Sequence, residues 1–83
     1  MNIDLRHLRY FVAVAEDASF TAAAQHVHVA QQVLSTQIRQ LDAAVGTQLL
    51  LRTSRGVVIT PAGEAFAGFA RETLASLDRT MSA

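Results

Sequence analysis

Residues 20–46, F-T-A-A-A-Q-H-V-H-V-A-Q-Q-V-L-S-T-Q-I-R-Q-L-D-A-A-V-G, decide the fold, because they hold two helical patterns separated by a short break. The apolar spacing of the first pattern predicts a helix from about Phe20 to His26. The second pattern predicts a helix from near Gln31 that ends at Gly46, a residue that tolerates the left-handed backbone of a helix end. The apolar stripe of this second helix is narrow and consists of Leu34, Ile38, Leu41 and Val45. Two helices joined by about three residues predict a helix-turn-helix.

The flanking sequence completes the pattern on both sides. Residues 4–17 have helical apolar spacing, and a further helix is predicted there. Residues 49–51 and 57–59 are short strand candidates, and the polar stretch 52–56 between them ends in glycine, which predicts a β-hairpin with its tip at 52–56. Thr60-Pro61 then has the residue types that begin a helix. The order of elements predicts a mainly α winged helix-turn-helix, with three helices, a two-stranded hairpin wing and a long C-terminal helix.

The C-terminal helix carries a heptad-like apolar seam, which predicts that it pairs two copies of the chain. The seam consists of Ala67, Ala70, Leu74, Leu77 and Met81. The seam could instead pack back onto its own domain, and we expect part of it to do so. Phe66 and Phe69 flank the seam and are the best candidates for this inward packing. We therefore divide the chain into a helix-turn-helix domain at 1–60 and a linker or dimerisation helix at 61–83.

Composition excludes several classes of site. Half of the 83 residues are apolar (51%), which favours a folded domain, and no cysteine is present for a disulfide or a thiolate metal site. No apolar run approaches the roughly 18–20 residues that span a bilayer. The formal net charge is zero, with seven arginines and no lysine. Between residues 18 and 60, Arg39, Arg52 and Arg55 face only Asp42, a local excess of two positive charges.

The second helix of the helix-turn-helix also has a polar arc that suits contact with DNA. Glutamine, serine, threonine and arginine offer hydrogen bonds to base edges in the major groove. The residues expected to contact bases are Gln31, Gln32, Ser35 and Thr36. Those expected at the phosphate backbone or in the minor groove are Ser19, Thr21, Arg39, Arg52 and Arg55. No acidic residue interrupts the arc before Asp42, so no negative charge opposes the approach of DNA. Together with the predicted pairing through the C-terminal helix, this arc predicts that a homodimer binds duplex DNA.

Other interpretations remain open from the residues alone. The polar arc also fits a solvated face, and the neutral charge also fits a protein-interaction module that dimerises without binding DNA. A small enzyme is a third interpretation, but nothing in the sequence aligns serine, histidine and aspartate as a catalytic triad. We therefore expect no catalysis and no cofactor. His26 and His28 lie two residues apart and do not share a helix face, and no cysteine or carboxylate is expected near them, so no metal site is predicted.

Four motifs together resemble the N-terminal domain of LysR-type transcriptional regulators. They are L-R-H-L-R-Y-F-V-A-V-A-E at 5–16, S-F-T-A-A-A at 19–24, H-V-A-Q-Q-V-L-S-T-Q-I-R-Q-L-D at 28–42 and G-T-Q-L-L-L-R-T-S-R-G-V-V-I-T-P-A-G-E at 46–64. The resemblance implies a bacterial, cytoplasmic and nucleoid-associated regulator that binds an interrupted inverted repeat near a promoter. It also implies dimerisation through the long helix. Family members continue into a domain that senses a small-molecule effector, so we expect this chain to be a fragment.

Within the resemblance, Gln31 and Ser35 match the recognition-helix motif and Arg55 matches the wing arginine. Gln32 stands where proline is usual, Val33 where a smaller residue or proline is common, and Thr36 where arginine is frequent. Ala30 also replaces a common serine at the N-cap. These departures concern affinity and sequence preference more than the fold.

Overall fold

Four helices and one two-stranded hairpin form residues 3–82, the part of the chain that the computed structural model describes. The elements are α1 (Leu5–Asp17), α2 (Phe20–Val27), α3 (Gln31–Val45), β1 (Leu50–Thr53), β2 (Gly56–Ile59) and α4 (Pro61–Ser82). Met1, Asn2 and Ala83, which the predicted domain limits include, lie outside the described residues. The predicted fold class and element order are confirmed.

Helix α1 begins with a capping box in which histidine takes the place that glutamate usually fills. Asp4 Oδ1 accepts from the backbone N–H groups of Arg6 at 2.9 Å and His7 at 3.3 Å, and the Asp4 N–H donates to His7 Nδ1 at 3.0 Å. The hydrogen bond from the Arg6 side chain is the largest of the effects that lower the pKa of Asp4. His7 is buried and its Nε2 lies 3.4 Å from Gln40 Oε1, so the cap also connects α1 to α3.

Helices α2 and α3 follow the predicted bounds closely. Ser19 Oγ accepts from the Ala22 N–H at 3.1 Å and caps α2. Helix α2 ends at Val27, one residue beyond the prediction, and His28 ends it in a left-handed conformation with φ 60°. Helix α3 ends as expected at Gly46, where φ is 89°. Its first turn has no side-chain cap, because Ala30 supplies none.

The hairpin is tighter than the sequence predicts. Leu50 pairs with Ile59 and Thr53 with Gly56, so only Ser54 and Arg55 form the turn, and the predicted tip at 52–56 is wrong. Thr53 belongs to the strand because its Oγ1 binds the opposite backbone, donating to the carbonyl of Gly56 at 3.2 Å. Arg52 also lies within β1, so its side chain starts nearer the helices than a tip residue would.

The first half of α4 belongs to the same apolar core as α1–α3. Ala67 and Ala70 are 1% and 0% exposed inside this core, so the prediction that they pair two copies is wrong. Small side chains are needed here because they let α4 approach α1 closely. Phe66 packs inward as predicted, with its ring 5.3 Å from that of Phe11, edge to face. The inward packing expected of Phe69 is wrong, since this residue is 56% exposed.

The second half of α4 extends beyond the core. Most residues from 75 to 82 are exposed, including Met81, and only Leu77 is half-buried there. Leu74, one turn earlier, still packs against the core. Within residues 3–82, no helix combines the length and the apolar character that a membrane crossing needs.

Candidate nucleic-acid interface

Helix α3 buries one side and presents the other to solvent. Leu34, Ile38 and Leu41 are buried in the core, as the narrow apolar stripe predicts. On the outer side, Gln31, Gln32 and Arg39 are exposed, and Ser35 and Thr36 are half-buried. The polar arc is therefore an accessible surface along the N-terminal half of the helix, the part that enters the major groove in helix-turn-helix proteins.

Hydrogen bonds already hold several side chains of the polar arc. Thr21 Oγ1 lies 3.1 Å from Gln31 Oε1 and joins the starts of α2 and α3. Thr36 donates its hydroxyl proton to the Gln32 carbonyl at 3.0 Å and accepts from Arg39 Nη2 at 3.3 Å. The Thr36 proton is thus used within the helix, which leaves a lone pair and the methyl group for an external partner.

Arg52 reaches back from the hairpin to the helix-turn-helix. Its guanidinium lies 3.8 Å from the centre of the Phe20 ring, a cation–π arrangement, and its Nη2 donates to Ser35 Oγ. Phe20 is buried at the start of α2. One side chain therefore joins β1, α2 and α3 at the predicted base-contact surface.

Arg55 and Ser19 occupy different positions relative to this surface. Arg55 is exposed at the turn of the hairpin, where its backbone N–H donates to Thr53 Oγ1 at 3.2 Å and fixes the turn. Its side chain is available to a phosphate or a minor groove. Ser19 is half-buried and its oxygen is already used as the α2 cap.

The arginines between residues 18 and 60 carry positive charges that no ion pair with a described residue neutralises. Within the described part of the chain, Arg39, Arg52 and Arg55 form no ion pair, whereas Arg6 and Arg71 pair with carboxylates. Asp42, the acid closest to them in sequence, is turned to the loop after α3, where Oδ1 accepts from the Leu49 N–H at 3.2 Å. Burial raises the pKa of Asp42. Arg39 and Arg52 line one groove together with Asp42 and Ser35, so two of the three positive charges lie beside the polar arc.

Sequence reasoning missed two residues at this surface. Val33 is 46% exposed on α3 beside the polar arc, a placement that its position outside the apolar stripe could have indicated. An exposed methyl group there suits contact with thymine. The contact of Phe20 with Arg52 has no signal in the local sequence, because the two residues are far apart along the chain.

The expectation that no carboxylate lies near His26 is wrong. A carboxylate does lie next to His26, because Asp17 Oδ2 is 2.6 Å from His26 Nδ1 and joins the end of α1 to α2. The sequence did not show this contact because nine residues separate the pair. Across residues 3–82, His and acidic side chains do not form a group of three that would hold a metal ion.

Comparison with known proteins gives a consistent family. Residues 5–64 match the model of bacterial regulatory helix-turn-helix proteins of the lysR family. The hca operon transcriptional activator HcaR of Escherichia coli (strain K12) is 48% identical over 81 residues, which cover 98% of this chain and 26% of HcaR. The transcriptional regulator BenM of Acinetobacter baylyi is 49% identical over 80 residues, which cover 96% of this chain and 26% of BenM. The chain thus spans about a quarter of the length of these relatives.

Two solved structures of DNA-binding domains are similar to this chain in fold and in sequence. The BenM DNA-binding domain in complex with catB site 1 DNA has a TM-score of 0.93 at 49% identity, covering 96% of this chain and 90% of that one. The CbnR DNA-binding domain in its DNA complex has a TM-score of 0.92 at 40% identity, covering 96% and 92%. The chain therefore belongs to the lysR family of bacterial regulatory helix-turn-helix proteins.

Proposed function

We propose that this chain binds duplex DNA with sequence preference, placing the N-terminal half of α3 in the major groove and the hairpin beside it. The observation that carries the proposal is the exposed polar arc of α3, with Arg39 and Arg52 beside it and Arg55 exposed on the hairpin, none of them in an ion pair within residues 3–82. DNA complexes of similar domains, those of BenM and CbnR, support it. We assign no catalysis to the chain.

Each part of the surface has a distinct task. Gln31, Gln32, Ser35 and Thr36 contact base edges, which carry sequence information. Arg39 and Arg55 contact phosphates or the minor groove, and Thr21 holds Gln31 in position. Ser19 has a minor part, because its oxygen already caps α2.

Titration of labelled duplex at several salt concentrations tests the proposal. If a dimer neutralises roughly four phosphates, through Arg39 and Arg55 of each protomer, log K falls with log salt at a slope near −3.6. Replacing Gln31 by alanine should cost about 1–3 kcal/mol on a selected site and little on random DNA. Gln25→Ala, an equal change at an exposed position of α2, is the matched control and should leave both affinities unchanged. Equal losses on selected and random duplex would contradict the role of Gln31.

We also propose that two copies pair through α4 and the adjacent surface of α1. Phe69 and Met81 are exposed large apolar residues, and Phe69 lines an apolar groove with Leu5 and Leu8 of α1. Leu77 lines a neighbouring groove that also includes Leu5. A second copy would remove this apolar surface from water, which is the main driving force of association. Leu77 and Met81 are retained from the predicted seam, and Leu74 serves chiefly the core.

Sedimentation measurements test the pairing. Phe69→Glu should convert dimer to monomer at micromolar concentration, because a buried unpaired carboxylate is costly at an interface. Ala75→Glu adds the same charge to α4 at an exposed position roughly 120° around the helix axis from residue 69, at ~100° per residue. This control should remain dimeric. Dimers that survive Phe69→Glu would place the interface elsewhere.

A protein-interaction module is the second candidate, and the zero net charge is the observation that favours it. The salt titration separates the two functions. A dimer that fails to bind duplex even at low salt would support the interaction module.

For the whole protein, the relatives' greater length supports a further domain after α4. We infer that this domain binds a small-molecule effector, and that the 1–60 and 61–83 segments act as DNA-binding domain and linker helix. We further infer a bacterial cytoplasmic regulator at an interrupted inverted repeat. Footprinting of the full-length dimer on promoter DNA would show two protected half-sites, and a single protected site would contradict this arrangement.

A further inference from the structure

Arg52 differs from Arg39 and Arg55 in the groups that its side chain contacts. Its guanidinium is stacked on Phe20 and bonded to Ser35, whereas the Arg55 guanidinium has no such contact with any residue between 3 and 82. A guanidinium that left this position to reach a phosphate would lose both the ring contact and the hydrogen bond. The geometry therefore favours an internal role for Arg52.

The chemistry of the Arg52–Ser35 pair fixes the direction of the hydrogen bond. A guanidinium has only donors, so Ser35 Oγ accepts from it with one of its two lone pairs. Within residues 3–82 the Ser35 hydroxyl proton has no acceptor of its own, unlike that of Thr36, which is given to the Gln32 carbonyl. The positive guanidinium also repels the positive end of the O–H dipole. The Ser35 proton is thereby turned away from Arg52 and stays available to an acceptor outside the protein.

The Thr21–Gln31 contact does not fix a direction in the same way. A hydroxyl and an amide can each donate or accept, so exchange of the amide oxygen and nitrogen would leave the contact intact. Of the two contacts, only the one with Arg52 determines which kind of base atom its partner can bind.

We propose that Arg52 is a positioning residue that makes Ser35 a hydrogen-bond donor toward DNA, so that Ser35 selects a base edge with an acceptor. In the major groove such acceptors are guanine N7 and O6, thymine O4 and adenine N7, whereas cytosine presents an amino group. The proposal rests on the proposed function. It adds a preference for hydrogen-bond acceptors on the base edge. A serine alone does not give this preference, because a free hydroxyl binds either a donor or an acceptor.

Selection from a random duplex library, followed by affinity measurements at several salt concentrations, tests this role. The base pair read by Ser35 is identified as the position where Ser35→Ala loses its preference. Arg52→Met keeps an unbranched side chain over Phe20 but removes every donor. We expect this variant to lose roughly five-fold discrimination against cytosine at that base pair, the worth of one hydrogen bond. The salt slope should stay that of the wild type.

Arg55→Met is the matched control, since it makes the same change three residues further along the hairpin. It should weaken binding to all duplexes and reduce the salt slope by about 1.8 for a dimer, through loss of one phosphate contact per protomer. The preference at the Ser35 base pair should not change. In the double variant Ser35→Ala/Arg52→Met, the second substitution should have no further effect on base preference.

Arg52→Gln keeps a polar side chain on the hairpin if the Met variant proves unstable. Its amide offers both donors and an acceptor, so it does not fix the direction of the Ser35 hydroxyl, and we expect the same relaxed preference. A Gln variant with wild-type preference would overturn the proposal. So would an Arg52→Met variant that lowers the salt slope and keeps its preference, while DNA binding itself would stand. A wild-type chain that binds no duplex would overturn the proposed function and this role together.

Discussion

Replacing Gly63 by alanine tests how closely the base of the hairpin packs on α4. A methyl group at this position would lie 2.7 Å from Ile59 Cγ1, 3.0 Å from the carbonyl carbon of Leu49 and closer still to the Leu49 oxygen. That oxygen accepts from the Thr60 N–H at 3.0 Å and from Thr60 Oγ1 at 3.1 Å. Relief of the clash therefore requires movement of backbone that holds the hairpin to α4.

The expected cost follows from these contacts. Overpacking of a tight site costs about 1–3 kcal/mol, and a weakened Thr60–Leu49 hydrogen bond adds roughly 1 kcal/mol. The higher helix propensity of alanine offsets about 1 kcal/mol of this loss in the free energy of unfolding. We expect Gly63→Ala to lower the free energy of unfolding by about 1–3 kcal/mol, a large part of the stability of a domain this small.

Urea unfolding followed by circular dichroism, at one protein concentration for all variants, measures this change. Gly68→Ala is the matched control in the same helix, because a methyl group there meets nothing within 4 Å. The control should gain about 0.5–1 kcal/mol from helix propensity. If Gly63→Ala were as stable as Gly68→Ala, the close approach of Leu49 to α4 would be refuted.

Two smaller changes test the loop after α3 and the start of α3. Burial raises the pKa of Asp42, so ionisation of its carboxyl as pH rises past its ordinary value near 3.8 opposes folding. Asp42→Asn keeps an acceptor for Leu49, and its melting temperature relative to wild type should increase between about pH 3 and pH 6; a constant difference would argue against the burial effect. Ala30→Ser should add about 1 kcal/mol to the free energy of unfolding by capping α3, since Ala30 already has an extended N-cap backbone. No gain in thermal denaturation would show that the first turn is held by other contacts.

The sequence predicted the elements well because local rules govern them. Helix limits depend on caps and on apolar spacing, and Asp4, Ser19 and Gly46 act as those rules predict. The hairpin tip was predicted too wide, because the pairing of Thr53 with Gly56 depends on the partner strand and not on local composition.

The errors in the C-terminal helix have a different physical origin. A heptad pattern shows which residues share a face, but it does not show what covers that face. Ala67 and Ala70 share it with Leu77, yet α1 covers only the first half of the helix. The exposed position of Phe69 follows from the same packing, because Phe66 already fills the space beside Phe11.

The role assigned to Arg52 also changes the expected electrostatics of DNA binding. With three arginines per protomer on phosphates, a dimer would neutralise roughly six charges, and the slope of log K against log salt would be near −5. If Arg52 stays on Phe20 and Ser35, only Arg39 and Arg55 remain, and roughly four contacts give a slope near −3.6. A shallow slope is consistent with a chain whose net charge is zero. It also means that more of the binding energy must come from base edges, where a fixed hydroxyl direction at Ser35 has its largest effect.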